Sequence, residues 1–448
     1  MRVESRLSWL AVAAGSALCA SLAVIGADAR WLAALGASIV HAGRISSAVP
    51  YAAAPSHDWV NVPVLGELVF HWLEALGGDR GLVIAQALAV TGMLMLLLRD
   101  MRARGVPDGA CALVLLAFPF AAFSTYFVVR AQLFSLPLFA LTVLLLRSEA
   151  RQPSRAVWLL VPLIALWSNL HGAVLIGLTV AGAYLLLERF RRDRWTAVGV
   201  LVASGAALFA TPGLVHTADY YLGVFQSEPA TSGFGLWAPL SLRNPLDVVF
   251  LAVVIPLLWF ATRTRPKAWE LVCLAVLGVA TLHVGRNSIW LLLFAATPAA
   301  VGLGRTRVRR ARAARGLLQA CAWSVPVLLI VFGLARTPTQ TVAGPALRSQ
   351  AAQLAAGAPI LADAQDAEQL ALDGRRVWIA NPIDAFDRAE QHRYVDWLRG
   401  SAAGDSILRA HDVVLVQVGS PPQERLARKR AYREVARDAT AVLYRRAS

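Results

Sequence analysis

Long apolar runs dominate this chain, at about 8–26, 81–98, 109–129, 131–146, 196–210, 246–262, 268–283, 288–303 and 316–335, with short polar segments between them. Each run is near the roughly 20 residues that a helix needs to cross the hydrocarbon of a bilayer. One further stretch, 157–187, is interrupted at its centre by "LWSNLHGAVLIGL" (166–178), which sets Ser168, Asn169 and His171 among hydrophobic neighbours. In a single continuous helix these would be polar groups stranded in lipid. In a hairpin they are its tip.

The polar segments decide between the two. They hold Arg2/Arg6, Arg99/Arg102/Arg104, Arg147/Arg151/Arg155, Arg189/Arg191/Arg192/Arg194, Arg263/Arg265/Lys267 and Arg305/Arg307/Arg309/Arg310/Arg312/Arg315. Cytoplasmic loops collect Lys and Arg, so all six clusters are expected inside. The stretch 157–187 therefore crosses twice. The same rule makes 109–146 a hairpin with Arg130 near its tip, and 268–303 a hairpin around "HVGRN" (283–287). The expectation is about 11 transmembrane helices in a plasma or inner membrane, N-terminus cytoplasmic and C-terminus outside. The 31 residues of 157–187 are too few for two full spans, so Asn169 and His171 should be recessed. Polar groups at that depth are tolerated only against protein or a water-filled cavity.

Composition agrees. Mean hydropathy is +0.55 and only 16% of residues are charged, the signature of an integral membrane protein. A net charge of +15 would suggest nucleic acid in a soluble chain; here it lies in juxtamembrane clusters, where it sets orientation. Cys19, Cys111, Cys273 and Cys321 sit in apolar runs without a CxxC pair and read as small buried hydrophobes. "ADA" (27–29) resembles a signal-peptidase site. The apolar run before it has 19 residues, long for a signal core, so an uncleaved anchor is expected.

Two regions carry the candidate chemistry. The first outer loop, 27–80, contains a helix-like stretch at 28–42 with Trp31, Leu32, Leu35 and Ile39 on one face, and a second at 62–76. Both suit helices lying in the membrane interface, with Trp59 and Trp72 as anchors. Between them fall His57, Asp58 and Asn61. Asp28 and Asp58 are candidate general bases toward a hydroxyl. Each has a structural alternative: Asp28 as a helix cap and Asp58 as an interfacial loop partner of His57. Glu67 and Glu74 read as a solvated helix face. Arg130, Arg243 and Arg286, on the outer side, are candidate ligands for an anionic group. Asn169, His171 and Asn287 are candidate substrate contacts or turn-closing groups.

The second region begins near Thr337. "APILAD", "RRVWIA", "DVVLVQV" and "TAVLYRR" read as strands, with helices near 364–372, 385–399 and 421–432. The domains are thus 1–335, transmembrane, and 336–448, a small extracytoplasmic α/β domain. It has no Gly-rich phosphate loop, G-x-S-x-G or CxxC. Asp384, Asp387, Arg388 and Gln391 cluster at a strand-to-helix junction, as caps or as an acceptor-binding face. No convincing metal-ligand set stands out; no metal residue or cofactor is assigned, and a divalent metal stays an open alternative.

An acid directly after the first span, interfacial helices in a long first outer loop and a terminal outer domain together resemble the C-type (GT-C) membrane glycosyltransferases, which include the protein O-mannosyltransferases and aminoarabinose transferases. "SHDWVNVPVLGELVF", "WSNLHG" and "VWIANPIDAFDRAEQHRYVDWL" resemble segments of uncharacterised bacterial members. The resemblance implies a polyprenyl-phosphate-sugar donor, a cell-envelope acceptor (glycan, lipid or protein) and reaction on the outer face, with Asp28 in the position of the family's acid. Two departures are visible. Asp28 is followed by Ala29 where many members carry a second acid, and Arg130 stands where many carry an acid after the third span. The readings left open are transferase, non-catalytic envelope assembly protein and lipid-linked substrate transporter; membrane lipids are partners in all three, and nucleic acid in none.

Overall fold

The computed structural model describes residues 6–56, 59–305 and 341–447. Backbone in hydrocarbon must satisfy its own N–H and C=O groups, and the apolar runs accordingly fold as helices. These are Arg6–Leu22, the later part of Val64–Ala103, Asp108–Ala121, Ser135–Arg151, Leu160–Ser168, Val174–Tyr184, Arg194–Ala207, Pro245–Thr262, Ala268–His283 and Ser288–Arg305. Among the described residues, four helical stretches are long and apolar enough to cross a membrane: Val64–Ala103, Ala131–Arg151, Pro245–Thr262 and Gly285–Arg305. The run 316–335, Cys321 and the arginines from Arg307 to Arg315 lie outside the described residues. Cys19, Cys111 and Cys273 are buried and unbridged.

Two of the three expected hairpins form as packed helix pairs. Residues 157–187 become two short helices, Leu160–Ser168 and Val174–Tyr184, packed on each other around the turn at Asn169–His171. Ala268–His283 and Ser288–Arg305 pack together around Gly285–Asn287. Arg130 lies between Phe123–Phe127 and Ser135–Arg151.

Two compact units result. One gathers the described residues of Met1–Ala23, Val83–Thr211 and Leu236–Thr337; the other those of Val24–Leu82, Pro212–Gly235 and Pro338–Ser448. The first is helical apart from turns and the two-residue strand Val128–Val129, and is tied at one end by charge. Arg147, 0% exposed, donates to Asp100 at 2.9 Å, to Glu270 at 3.3 Å and to the Phe294 carbonyl at 2.7 Å. Arg189 pairs with Glu149 at 3.2 Å, and Lys267 with Glu188 at 2.7 Å. Basic segments that are far apart in sequence thus meet at one end of this unit.

The second unit is built on a four-stranded sheet: β1 (Leu361–Ala362), β2 (Val413–Gln417), β3 (Tyr432–Arg437) and β4 (Ala441–Arg446), ordered β1-β2-β4-β3. β1 is parallel to β2; the other pairs are antiparallel. The first outer loop belongs to this core. The Ala53 N–H donates to the Val377 carbonyl and the Val377 N–H to that of Tyr51, both at 2.9 Å. Helix Ala29–Ala42 packs on helix Ala364–Leu372, with Trp31 and Leu35 in one cluster with Leu361, Leu370, Val414 and Leu443.

Several expectations are corrected here. "RRVWIA" forms only isolated bridges, through Val377, to Ala52 and Ile360; Pro382, with no N–H to donate, follows soon after. The helix expected over 421–432 stops at Leu426, and Tyr432–Arg437 pairs instead with β4. Its many charges suit an edge strand, where they face outward. The stretch at 62–76 is not separate: it runs into the next helix as Val64–Ala103, broken at Gly78 (φ 55°).

Candidate functional site

Asp28 is the sequence candidate whose surroundings say most. It occupies the position before helix Ala29–Ala42, yet its side chain makes no capping bond, so capping does not account for it. Its backbone has φ 79°, a left-handed conformation that an L-residue holds at about 1–3 kcal/mol when its surroundings over-determine it. Those surroundings come from the C-terminal residues. The Asp28 N–H donates to both carboxylate oxygens of Glu368, at 2.9 and 3.0 Å. The Asn381 Nδ2 amide donates to Asp28 Oδ1 at 3.0 Å and to Glu368 Oε1 at 2.6 Å. An amide NH2 has two protons, and here one faces each carboxylate. Glu368 is 1% exposed; Asp28 is half-buried.

Nearby residues fix the frame. Arg30, two residues beyond Asp28, is buried and pairs with Asp79 at 2.9 Å. On the helix that carries Glu368, Asp363 accepts the Gln417 N–H at 2.6 Å and Asp366 accepts the Ala343 N–H at 2.7 Å. Burial pushes their carboxyls up, to about 7 for Asp363 and about 6 for Asp366. At the expected strand-to-helix junction, Gln391 accepts the Glu228 N–H at 2.9 Å and Arg388 donates to the Gln226 carbonyl at 2.5 Å. Those two residues hold the 217–232 segment. Asp387 makes no side-chain cap, contrary to the capping expectation.

Asn61 and Glu67 pair with each other. The Asn61 amide donates to Glu67 at 2.7 Å, and Glu67 is 1% exposed, so the expectation of a solvated face is wrong for it. The bond from Asn61 is what makes a carboxyl tolerable at that depth. His57 and Asp58 lie outside the described residues.

In the helical unit the polar tips rest on one aromatic node. Phe139 packs against Trp167 at 6.5 Å and Trp290 at 5.2 Å between ring centres, which brings together the helix ends near Ser135, His171 and Asn287. Trp167 Nε1–H donates to Ser135 Oγ at 2.7 Å, and Ser135 Oγ lies 2.8 Å from His171 Nδ1. The Ala173 N–H also reaches that nitrogen, at 3.3 Å. Nδ1 is therefore an acceptor, and the neutral ring carries its proton on Nε2. Asn169 Nδ2 donates to the Ala165 and Ala210 carbonyls at 2.8 and 2.7 Å, tying the end of its own helix to the chain just beyond helix Arg194–Ala207. Arg286 lies over the Trp237 ring at 3.6 Å and Asn287 bonds the Ala280 carbonyl at 3.1 Å. Arg130 is half-buried at the start of the turn Ala131–Phe134. Arg243 is exposed, before helix Pro245–Thr262.

No protein-family model and no curated protein matches the chain. Solved structures do. ArnT from Cupriavidus metallidurans bound to undecaprenyl phosphate aligns over 97% of this chain and 96% of its own, with TM-score 0.55 and 15% identity. Its apo state gives 0.54 and 14% over the same shares. The arabinofuranosyltransferase AftD from Mycobacteria aligns over 98% of this chain and 41% of its own, with TM-score 0.53 and 15% identity. The fold is that of the GT-C membrane glycosyltransferases. Within this GT-C fold the chain offers a clamped carboxylate in one unit and cationic, amide and imidazole groups at the helix tips of the other. Among the described residues no group of three or more His, Cys, Asp or Glu side chains is arranged to hold a metal ion. Sequence reasoning missed Glu368: it had no local signature, lying in a helix that reads as ordinary, 340 residues from Asp28.

Proposed function

We propose that this protein is a membrane glycosyltransferase that moves a sugar from a polyprenyl-phosphate donor to a cell-envelope acceptor on the outer face, with Asp28 as general base. In this reading the chain crosses the membrane eleven times, with the N-terminus cytoplasmic and the C-terminal residues outside. The meeting of basic segments at one end of the helical unit supports that orientation, since inner loops collect Lys and Arg.

The observation that carries the reading is the clamp on Asp28. A half-buried carboxylate held in a left-handed conformation by Glu368 and Asn381, and not used as a cap, is an expensive arrangement that folding alone does not require. In the proposed step the acceptor hydroxyl gives its proton to Asp28 while its oxygen attacks the anomeric carbon. The bond from that carbon to the phosphate oxygen breaks, and the lipid phosphate leaves with the electron pair. Arg130, Arg243 and Arg286 are the cations proposed to stabilise the charge that builds there. Asn169, His171 and Asn287 hydrogen-bond the sugar or lipid phosphate, His171 through its Nε2–H. A single displacement inverts the anomeric centre. Asp58 is kept as a second carboxylate, with His57 and Asn61 beside it in sequence.

The test is an envelope-glycan comparison by mass spectrometry. Wild type, a deletion strain and the deletion complemented with Asp28→Asn or Asp58→Asn at matched protein levels are compared. Loss of a sugar on deletion that Asp28→Asn fails to restore, with a deficit of about 100-fold or more, is expected for removal of a general base. Full restoration by both variants favours a non-catalytic assembly protein. Lipid movement across the bilayer without sugar transfer favours a transporter.

A further inference from the structure

We infer that Glu368 and Asn381 are positioning residues for Asp28, together forming a carboxylate–amide clamp that sets the direction in which the base faces its acceptor; the inference rests on the transferase reading above. Four contacts make the clamp, and they do three separate things. Both Glu368 oxygens accept the Asp28 N–H, which fixes the peptide that leads into the left-handed conformation. Asn381 Nδ2 donates to Asp28 Oδ1, which restrains the carboxylate. The same nitrogen donates to Glu368 Oε1, which couples the two.

The geometry also explains why the base needs no acidic neighbour in sequence. Ala29 follows Asp28, where the resemblance leads one to expect a second acid, and Ala29 is fully buried. A carboxylate directly adjacent in space comes instead from helix Ala364–Leu372, which packs on the helix that Asp28 precedes. Nothing in this arrangement is needed to start helix Ala29–Ala42: the Asp28 carbonyl already accepts the Leu32 N–H at 2.9 Å. The side-chain bonds orient the carboxylate and add no turn to the helix. Misplacing a reacting group by about 1 Å can lower a rate about 100-fold, so loosening such a clamp should be felt as lost turnover.

The test uses full-length protein, with the glycan readout from complemented cells and the purified variants in nanodiscs for thermal melting and for binding of undecaprenyl phosphate. Glu368→Ala is expected to lower glycan product about 100-fold, and Glu368→Gln about tenfold, because its one oxygen still accepts the Asp28 N–H while its NH2 opposes that of Asn381. Asn381→Ala is expected to lower product about tenfold with melting unchanged; it leaves the Glu368 bond to the backbone intact and stands in if Glu368→Ala does not fold. Undecaprenyl phosphate binding should be unchanged in all three. Asp28→Asn combined with Glu368→Ala should be no worse than Asp28→Asn alone, as for residues that act as a unit. Wild-type product from Glu368→Ala and Asn381→Ala, with Asp28→Asn inactive, overturns the clamp and leaves the base. Loss of melting temperature or lipid binding in parallel with product makes both residues structural and also overturns it. Full product from Asp28→Asn overturns the transferase reading, and the clamp falls with it.

Discussion

Arg147 in the helical unit and Glu368 in the other are equally deeply buried, and they are answered in different ways. Arg147 meets two carboxylates, Asp100 and Glu270, and a backbone carbonyl. Its opposite charges come from distant segments, so the network balances charge and ties helices together. Glu368 accepts from a backbone N–H and a side-chain amide, and that amide joins it to a second carboxylate. An arrangement of that kind fixes one conformation of one residue. Buried opposite charges in balance suggest scaffold; two carboxylates joined through one amide, one of them half-buried and in a left-handed conformation, suggest a site, since such groups are kept at a cost.

The largest effect expected from this contrast is on stability. Arg147→Ala opens a void beside Asp100 and Glu270 and leaves them only the longer ion pairs with Arg104 and Arg151, which costs up to about 3–5 kcal/mol for a broken buried pair. Purified variants should melt far lower or fail to express. Arg147→Met should lose less than Arg147→Ala, because its side chain refills the void while Arg104 and Arg151 stay beside the two carboxylates. If Arg147→Ala melts like wild type, the network is not scaffold and the contrast fails at its first limb.

A smaller loss is expected where two helices touch closely. A Cβ on Gly36 would overlap the Glu67 carbonyl oxygen and crowd His71. Gly36→Ala should cost about 1–3 kcal/mol, as overpacking does, and lower the melting temperature with glycan product falling only in proportion to folded protein. A selective loss of product would bring this contact into the chemistry.

The acids of the second unit give a pH signature. Burial raises Asp363 to about 7 and Asp366 to about 6, whereas an unfolded carboxylate titrates near 4. A group whose folded pKa is raised binds its proton more tightly when folded. Its contribution is full below about pH 4 and is lost as pH rises through 6 and 7, at up to about 1.4 kcal/mol per pH unit for each group. Asp363→Asn keeps an oxygen for the Gln417 N–H and removes the titration. Its melting temperature relative to wild type should therefore rise between pH 5 and pH 8. A constant difference across that range would mean that Asp363 is already charged when folded.

How much of this was legible depended on the range of the signal. The hairpin tips were readable because basic clusters on either side of 157–187 fix its two ends, and hydropathy does the rest. The helix at 28–42 was readable from Trp31, Leu32 and Leu35. What it packs on was not: an apolar helix face in a membrane protein suits the interface and a protein core equally well, and the structure gives it a core. Tyr432–Arg437 was lost to local propensity, since its Arg, Glu and Ala favour helix and only pairing with β4 makes it a strand. Glu67 was misread because a binary pattern sends every glutamate outward, whereas Asn61, six residues earlier, lets this one in. The bond from Asp28 to Glu368 had no local trace at all, because closure over 340 residues is a property of the fold.

The smallest expected effect on stability is also the cleanest chemical test. Arg243 and Arg286 are both proposed phosphate cations of the helical unit. Arg286 is held over Trp237, and its removal should cost about 0.5–2 kcal/mol of cation–π contact whatever it does in catalysis. Arg243 is exposed, and among the described residues its side chain makes no hydrogen bond or ion pair; only its backbone N–H is engaged, by Ser241 at 3.2 Å. Arg243→Ala should therefore shift stability by less than about 0.5 kcal/mol. Any loss of glycan product, or of undecaprenyl phosphate binding in nanodiscs, then reports on charge toward substrate and not on folding. A fall in binding that salt also produces in wild type would assign Arg243 to the phosphate. Unchanged binding and product would remove it from the proposed site and leave Arg130 and Arg286 to carry the leaving group.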